Sequence, residues 1–323
     1  DSPVGRHLET GGLTMRRTLT LASALTLLLT ASPTSALGRN EAPPRTATDV
    51  SVTILSSNLA NGATVGEWGL SAFVEADGHC VLFDAGRYPD TVLRNAEVLS
   101  VDLSCVTDVV LSHFHFDHTT GLIPLLRDLR AKNPNAMQRV HVAEGFFLRR
   151  QIPRDGVYVD WNEMIATRDT LEAAGVEIVE HSGPTEILPA IWVTGPVDRV
   201  HQEQQFGAAR MLVDGEWIQD NVPDSQGLTI VTDQGHIVLL GCGHSGVVNL
   251  LEQVQASIAD APIHALMGGL HLFNASDDRL EWTAERPRRI EVQHLMAGHC
   301  TGIEPLMRLR AGLNLDRRTA VVG

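Results

Sequence analysis

The chain has 323 residues, 43% of them hydrophobic, enough to bury a large core in one domain or two and too apolar for a disordered or fibrous protein. Its formal charge is −14 and Lys132 is its single lysine, so bulk electrostatics argue against nucleic acid or an anionic membrane as a partner. Four cysteines, Cys80, Cys105, Cys242 and Cys300, are too few for a disulfide scaffold.

Residues 1 to 14 precede a start at Met15 and read as leader sequence outside the fold. Met15-Arg16-Arg17, the apolar run Leu19 to Ala31 and then Ser32-Pro33-Thr34-Ser35-Ala36 have the three regions of a secretory signal peptide over residues 15 to 36. The apolar run is short for a membrane span, so the reading is export, periplasmic or secreted, after cleavage near Ala36, with no stable membrane anchor. Export permits a disulfide, and Cys80 with Cys105 is the favoured pair, two buried thiols being the alternative. Residues 37 to 49, rich in Pro and Ala, read as a flexible tail, and the folded domain as 50 to 323.

Val50 to Leu55, Gly69 to Glu75 and His79 to Phe83 have strand composition, the last two joined by the hairpin signal Asp77-Gly78. Pro89 to Leu99 has helical spacing. Val106 to Leu111 is an apolar, β-branched strand with a carboxylate at Asp108, and Gly121 to Ala131 a helix. Val140 to Ala143 is a short strand. From Glu144 to Gln205 the pattern is less regular apart from a helix near Ala166 to Ala174, and a substrate-facing excursion is expected there. Two hairpins follow, Arg210 to Gln219 around Asp214-Gly215 and Leu228 to Leu240 around Asp233-Gln234-Gly235. Then helix and strand alternate: Val247 to Ile258, Ile263 to Met267, Asp278 to Val292, His294 to Ala297, Ile303 to Ala311 and Ala320 to Val322.

Between the 106–111 strand and the next helix lies Leu-Ser-His-Phe-His-Phe-Asp-His-Thr-Thr-Gly, residues 111 to 121, which packs His113, His115, Asp117 and His118 into six positions. His113 and His115, two apart, face one side of an extended segment, while Asp117 and His118 lie past the bend and can face a second point nearby. That geometry suits two adjacent divalent ions, zinc first, with iron or manganese as further matches to imidazole and carboxylate donors. Such a pair needs more ligands. His244, His271 and His299 each follow an apolar strand at a glycine-marked turn, where strand ends converge; His244 and His299 are favoured as ligands, and His271 is evenly balanced. The remaining histidines, among them His79, His141, His181, His201, His236, His264 and His294, lie in strands, loops or polar turns and read as ordinary side chains.

The pattern His-x-His-x-Asp-His resembles the signature of the metallo-β-lactamase superfamily. Glu-Trp-Gly-Leu-Ser (67–71), Leu-Phe-Asp-Ala-Gly (82–86), Gly-Cys-Gly-His (241–244), Gly-Gly-Leu-His-Leu (268–272) and His-Cys-Thr-Gly (299–302) are similar to the branch of dihydropterin-type ribofuranosylaminobenzene 5'-phosphate synthase-like metallohydrolases. The resemblance implies an α/β fold, a four-layer αββα metallo-β-lactamase-type sandwich. It implies that His113, His115 and His244 hold one ion and Asp117, His118 and His299 the other, with Asp84 orienting a histidine from behind. The family's usual Gly-Asp turn is here Gly241-Cys242, so Cys242 either bridges as a thiolate or supports the turn as a buried thiol. Trp68 stands where histidine is usual.

The resulting expectation is an exported metal-dependent hydrolase of a small ester, lactone, amide or phosphoester, with Asp117 as a candidate proton acceptor. Arg87 and Arg199, or Arg210, are candidate anion binders. A β-lactam hydrolase and a non-catalytic exported metal-binding module of the same fold are the alternatives.

Overall fold

The structure, a computed structural model, describes residues 43–203 and 206–322. The expected leader and signal peptide lie outside the described residues. The first half runs β1 (Val50–Ser56), β2 (Ser71–Ala76), β3 (His79–Phe83), α1 (Thr91–Val98), β4 (Asp108–Val110), α2 (Phe116–Thr119), α3 (Leu122–Lys132) and β5 (Arg139–Ala143). The middle holds β6 (Arg150–Arg154), β7 (Val157–Asp160), α4 (Met164–Ala173), β8 (Glu177–His181), β9 (Thr185–Leu188) and β10 (Ile191–Val193). The second half holds β11 (Arg210–Val213), β12 (Glu216–Gln219), β13 (Gly227–Thr232), β14 (Gly235–Leu240), α5 (Val247–Ser257), β15 (Ile263–Gly269), α6 (Asp277–Arg289), β16 (His294–Gly298), α7 (Ile303–Gly312) and β17 (Ala320–Val322).

Two large sheets are built, in the orders β1-β2-β3-β4-β5-β8 and β17-β16-β15-β14-β13-β10-β9. In each, antiparallel hairpins give way to parallel strands linked through helices. Period-two alternation along the strands sorts the apolar side chains between cores. In β3, Val81 and Phe83 face the other sheet while Cys80 and Leu82 face the core that takes Leu122, Leu125 and Leu129 of α3. In β14, Leu239 joins the inter-sheet core, while Val238 and Leu240 meet Leu250 and Val254 of α5 and Leu306 of α7. Helix, sheet, sheet and helix therefore stack as four layers, as expected.

Two expectations need correction. The stretch from 144 is more regular than its composition suggests: β8 completes the first sheet, β9 and β10 the second, and β6 and β7 join β11 and β12 in a separate four-stranded sheet. Pro153 hides a hairpin whose turn, Asp155-Gly156, has both φ values positive (50° and 82°), the geometry that Asp77-Gly78 (47° and 83°) adopts between β2 and β3. The end of the supposed tail is also tied down, since Ala47 is buried and its N–H donates to Val231 O at 2.8 Å. Cys80 and Cys105 form the disulfide, fastening β3 to the turn before β4.

Candidate metal centre

The candidate side chains leave the C-terminal ends of parallel strands, where open α/β sheets place their sites. β3 and β4 end in register at Phe83 and Val110, releasing Asp84 and the 111–118 segment. In the other sheet Leu240 pairs with Gly268 and Gly269 with Gly298, so Cys242, His244, His271 and His299 emerge from neighbouring strand ends. Asp84, His271 and His299 sit at φ +59°, +48° and +48°. Left-handed backbone is costly for side chains other than glycine, and it persists where packing aims a functional group.

The imidazoles converge. His113 Nε2 and His115 Nδ1 are 2.9 Å apart, and the rings of both lie 4.8 Å from that of His244. His118 Nε2 lies 3.7 Å from Asp117 Oδ2 and 3.2 Å from Cys242 Sγ, and His299 Nε2 lies 3.3 Å from Asp117 Oδ2. Ligand atoms of Asp117, His118, Cys242 and His299 fall within 4.8 Å of one another, and so do those of His113, Cys242 and His244. The structure thus brings together the six expected ligands, His115 through its contacts with His113 and His244. Buried ring nitrogens are normally hydrogen-bonded. Here His115 Nε2, His244 Nε2 and His299 Nδ1 are buried with no hydrogen-bond partner among the described residues.

Asp84 lies behind this cluster, fully buried, and touches no open space in front of it. Its Oδ2 takes hydrogen bonds from His118 Nδ1 at 2.7 Å and Ser112 Oγ at 2.7 Å, and its Oδ1 from Ser112 N at 2.7 Å. Ser112 Oγ in turn lies 2.9 Å from His113 Nδ1. One carboxylate therefore holds both imidazoles with Nε2 facing the cluster, directly for His118 and through a hydroxyl for His113. Asp84 therefore acts on the cluster by positioning its imidazoles, without facing the space between them. A Cβ on Gly241 would stand 1.9 Å from Ser112 Oγ and 2.8 Å from Asp84 Oδ2, so only glycine lets β14 close on this plate.

Burial holds His113 and His244 well below the usual imidazole range and His115 at about 3, so these rings stay neutral, with lone pairs to offer. His118 behaves oppositely: burial opposes its charge, but the Asp84 and Asp117 carboxylates outweigh it and push it up to about 9. Burial raises the Asp117 carboxyl, yet His118 and His299 more than compensate and hold it well below its ordinary value. Burial pushes the Cys242 thiol well up. The neutral imidazoles of His113, His115 and His244, with the Asp117 carboxylate beside them, offer donors that fit divalent cations.

Several supports escaped the sequence reading. Arg150 is wholly buried, pairs with Asp220 at 3.1 Å and Asp224 at 2.5 Å, and lies 4.0 Å over the Phe114 ring between two candidate ligands. Trp161 stacks 4.7 Å from His115, so the middle stretch meets the cluster through an aromatic wall. Glu67 is buried and accepts from Ser56, Thr91 and the Arg87 and Tyr88 amides, fixing the loop that carries Trp68, whose ring lies 5.2 Å from His299 and 5.8 Å from Phe273. A buried Arg or Glu in a loop has no periodic signature, which is why none of these stood out.

Arg199 has a different task from the one expected. Its guanidinium donates to the carbonyls of His244, Asn221 and Val222, which clamps the His244 turn and leaves those donors spent. Arg210 is likewise engaged, by Gln151 and the Tyr158 and Trp217 rings. Arg87 is half-buried over the Phe116 and Tyr88 rings. His271 belongs to neither donor group, although its ring is 4.5 Å from that of His244. It also walls a cavity of about 510 Å³ with Glu203, Leu272, Asn274, Ser276 and Arg279. A larger hollow of about 690 Å³ beside α1 and α3 contains none of the cluster residues. His141, read as ordinary, is a satisfied core histidine between Asp108 and His181.

The chain is 27% identical over 245 residues to the 7,8-dihydropterin-6-methyl-4-(β-D-ribofuranosyl)-aminobenzene-5'-phosphate synthase of Methanocaldococcus jannaschii, covering 73% of this chain and 81% of that one. It is 29% identical over 258 residues to an uncharacterised protein of the same organism, covering 80% and 93%. The structure matches that of Tm1679, described as a metal-dependent hydrolase of the β-lactamase superfamily, with a TM-score of 0.65 at 25% identity over 82% of this chain and 93% of that one. The family model of the metallo-β-lactamase superfamily matches residues 69–248, a span that begins beside Trp68 and ends just past His244, and the chain belongs to that superfamily.

Proposed function

We propose that the protein is an exported metal-dependent hydrolase that uses two divalent ions, zinc first, with iron or manganese as alternatives, on a small ester, lactone, amide or phosphoester. The observation that carries this reading is the meeting of His113, His115 and His244 with Asp117, His118 and His299 in one buried cluster, in which nitrogens of His115, His244 and His299 have no hydrogen-bond partner among the described residues. The first three would hold one ion and the second three the other. Bound there, the ions would acidify a water into a nucleophile and draw charge from the bond being broken. Asp117 Oδ2, among the His118 and His299 rings, is the atom placed to accept the water's proton. Asp84 holds His118 and, through Ser112, His113 in the tautomer that faces the cluster. Trp161 and Trp68 flank the cluster beside His115 and His299, and the cavity beside His271 has room for a small substrate.

Support for export comes from the 15–36 signal pattern and from the Cys80–Cys105 disulfide, a bond that persists in oxidising compartments. Among the described residues no helix is long and apolar enough to cross a membrane. The synthase activity of the archaeal relative is not carried over, because an exported enzyme would meet other substrates. The test is metal analysis of the purified protein beside His115→Ala and His299→Ala, with hydrolysis assayed on lactones, phosphoesters and a chromogenic cephalosporin. About two equivalents in wild type, less in each variant, and turnover of a lactone or phosphoester are expected. Less than one equivalent, or full metal in both variants, would refute the two-ion site, and turnover of the cephalosporin alone would make the protein a β-lactam hydrolase.

A further inference from the structure

Resting on the metal-site reading above, we infer that Cys242 is itself a metal ligand, its sulfur shared as a thiolate between the two donor sets. The two groups of converging ligand atoms have one member in common, and it is Cys242. Its Sγ lies 3.2 Å from His118 Nε2, the nitrogen that Asp84 turns toward the cluster. A thiol kept merely to fill space would pack among apolar side chains. Cys242 is 4% exposed and belongs to none of the three apolar cores; it sits among the imidazoles and carboxylate of the cluster, with the Cys300 thiol behind it.

Backbone geometry delivers it there. Gly241 passes so close to Ser112 and Asp84 that a side chain would overlap them, so the next residue enters the cluster opposite His113 and His118. The other free thiol lies beside it: Cys300 makes a side-chain hydrogen bond with Cys242, its Sγ lies 3.8 Å from Cys242 O and accepts from His271 N at 3.3 Å, yet it joins neither donor group. Buried nitrogens of His244 and His299, one in each donor group that Cys242 joins, have no hydrogen-bond partner among the described residues and give the independent sign that the cluster is built for a ligand. On metal uptake the Cys242 S–H bond breaks, its proton passes to solvent and the electron pair left on sulfur is donated to metal. Thiolate is a softer donor than carboxylate, so this centre should favour zinc, cobalt or ferrous iron over manganese.

Cobalt(II) reconstitution of the stripped full-length protein tests this without reference to activity. Wild type should take up about two cobalt ions and show sulfur-to-cobalt charge-transfer absorption in the near ultraviolet. Cys300→Ala should keep that band; Cys242→Ser and Cys242→Asp should lose it, with Cys242→Asp retaining metal and gaining about tenfold or more in preference for manganese. Far-ultraviolet circular dichroism checks that each variant folds, and the wild-type and Cys300→Ala spectra decide the question even if both Cys242 variants fail to fold. Two cobalt ions without the band, or a band lost in Cys300→Ala, would overturn the inference alone. Uptake of less than one cobalt by wild type would overturn the metal-site reading and this inference with it.

Discussion

Replacing Arg150 with methionine isolates the charge that anchors the middle stretch to the candidate ligands. All five guanidinium donors are used: Nε on Asp220, one terminal nitrogen on the Phe146 and Leu148 carbonyls, the other on the Gly145 carbonyl and Asp224. The Phe146 and Leu148 carbonyls also accept from Asn162, and Gly145 O from Leu148 N, so these keep partners when the arginine goes. The carboxylates are different. Both are fully buried, and what remains to them is backbone: Val222 N for Asp220, and Phe114 N with the residue's own N–H for Asp224. Breaking such a pair costs about 3–5 kcal/mol, or about 6–20 °C in melting temperature for a domain of this size.

Burial already raises Asp224 to about 6, against the opposing pull of Arg150. Between its unfolded value and 6 the folded state binds more protons than the unfolded, so this group's contribution falls as pH rises through that window. Without Arg150 the folded value climbs further, so Arg150→Met should be most destabilised near neutrality and recover on acidification. Adding Asp224→Asn should restore part of the loss at pH 7. Thermal melts by circular dichroism, run with and without chelator, measure this. A melting point within about 2 °C of wild type, or a deficit that grows as pH falls, would refute the argument.

Asp84→Asn keeps a residue that tolerates left-handed backbone while removing the charge behind His118; metal affinity should fall about 10–100-fold with the fold intact, read by competition with a chromophoric chelator. Cys105→Ser opens a disulfide spanning 25 residues and should cost about 3.5 kcal/mol in urea titrations, leaving metal content unchanged because neither cysteine belongs to a donor group. Burial raises Asp108, but hydrogen bonds from His141, Arg139 and Thr107 outweigh it and hold the carboxyl at about 2. Its stabilisation is therefore present above the ordinary carboxylate range and lost as pH falls through 2; Asp108→Asn should flatten that part of the acid-unfolding curve.

The strands and the ligand cluster were legible because their signals are local. Period-two alternation in residues 79–83 and 235–240 sorts side chains between layers without knowledge of the partner sheet, and the 113–118 spacing carries two facing directions in one short segment. His244 and His299 could be found because a strand followed by a glycine turn says where the chain will surface. Arg150, Glu67 and Trp161 could not, since their roles are set by partners in space: Asp220 and Asp224 lie some seventy positions from Arg150. Arg199 misled for the same reason. Its charge suggested an anion, while its actual partners are carbonyl groups, which leave no trace in side-chain identity.

Each proposed donor set draws on both halves of the sandwich. His113 and His115 follow β4 of the first sheet and His244 follows β14 of the second; Asp117 and His118 come from α2, and His299 follows β16. An ion in either place would therefore tie the first sheet to the second across the strand-end edge, where the candidate ligands of both sheets gather. Metal binding should then count as folding energy, because the unfolded chain holds no such constellation. At free metal a hundred times the dissociation constant the gain is about 2.7 kcal/mol, rising to about 4.1 at a thousand times. The melting temperature of stripped wild-type protein should climb with added zinc, and the climb should shrink in both His115→Ala and His299→Ala. A metal-independent melt in wild type would mean that the two sheets hold the cluster together unaided and that no ion joins them.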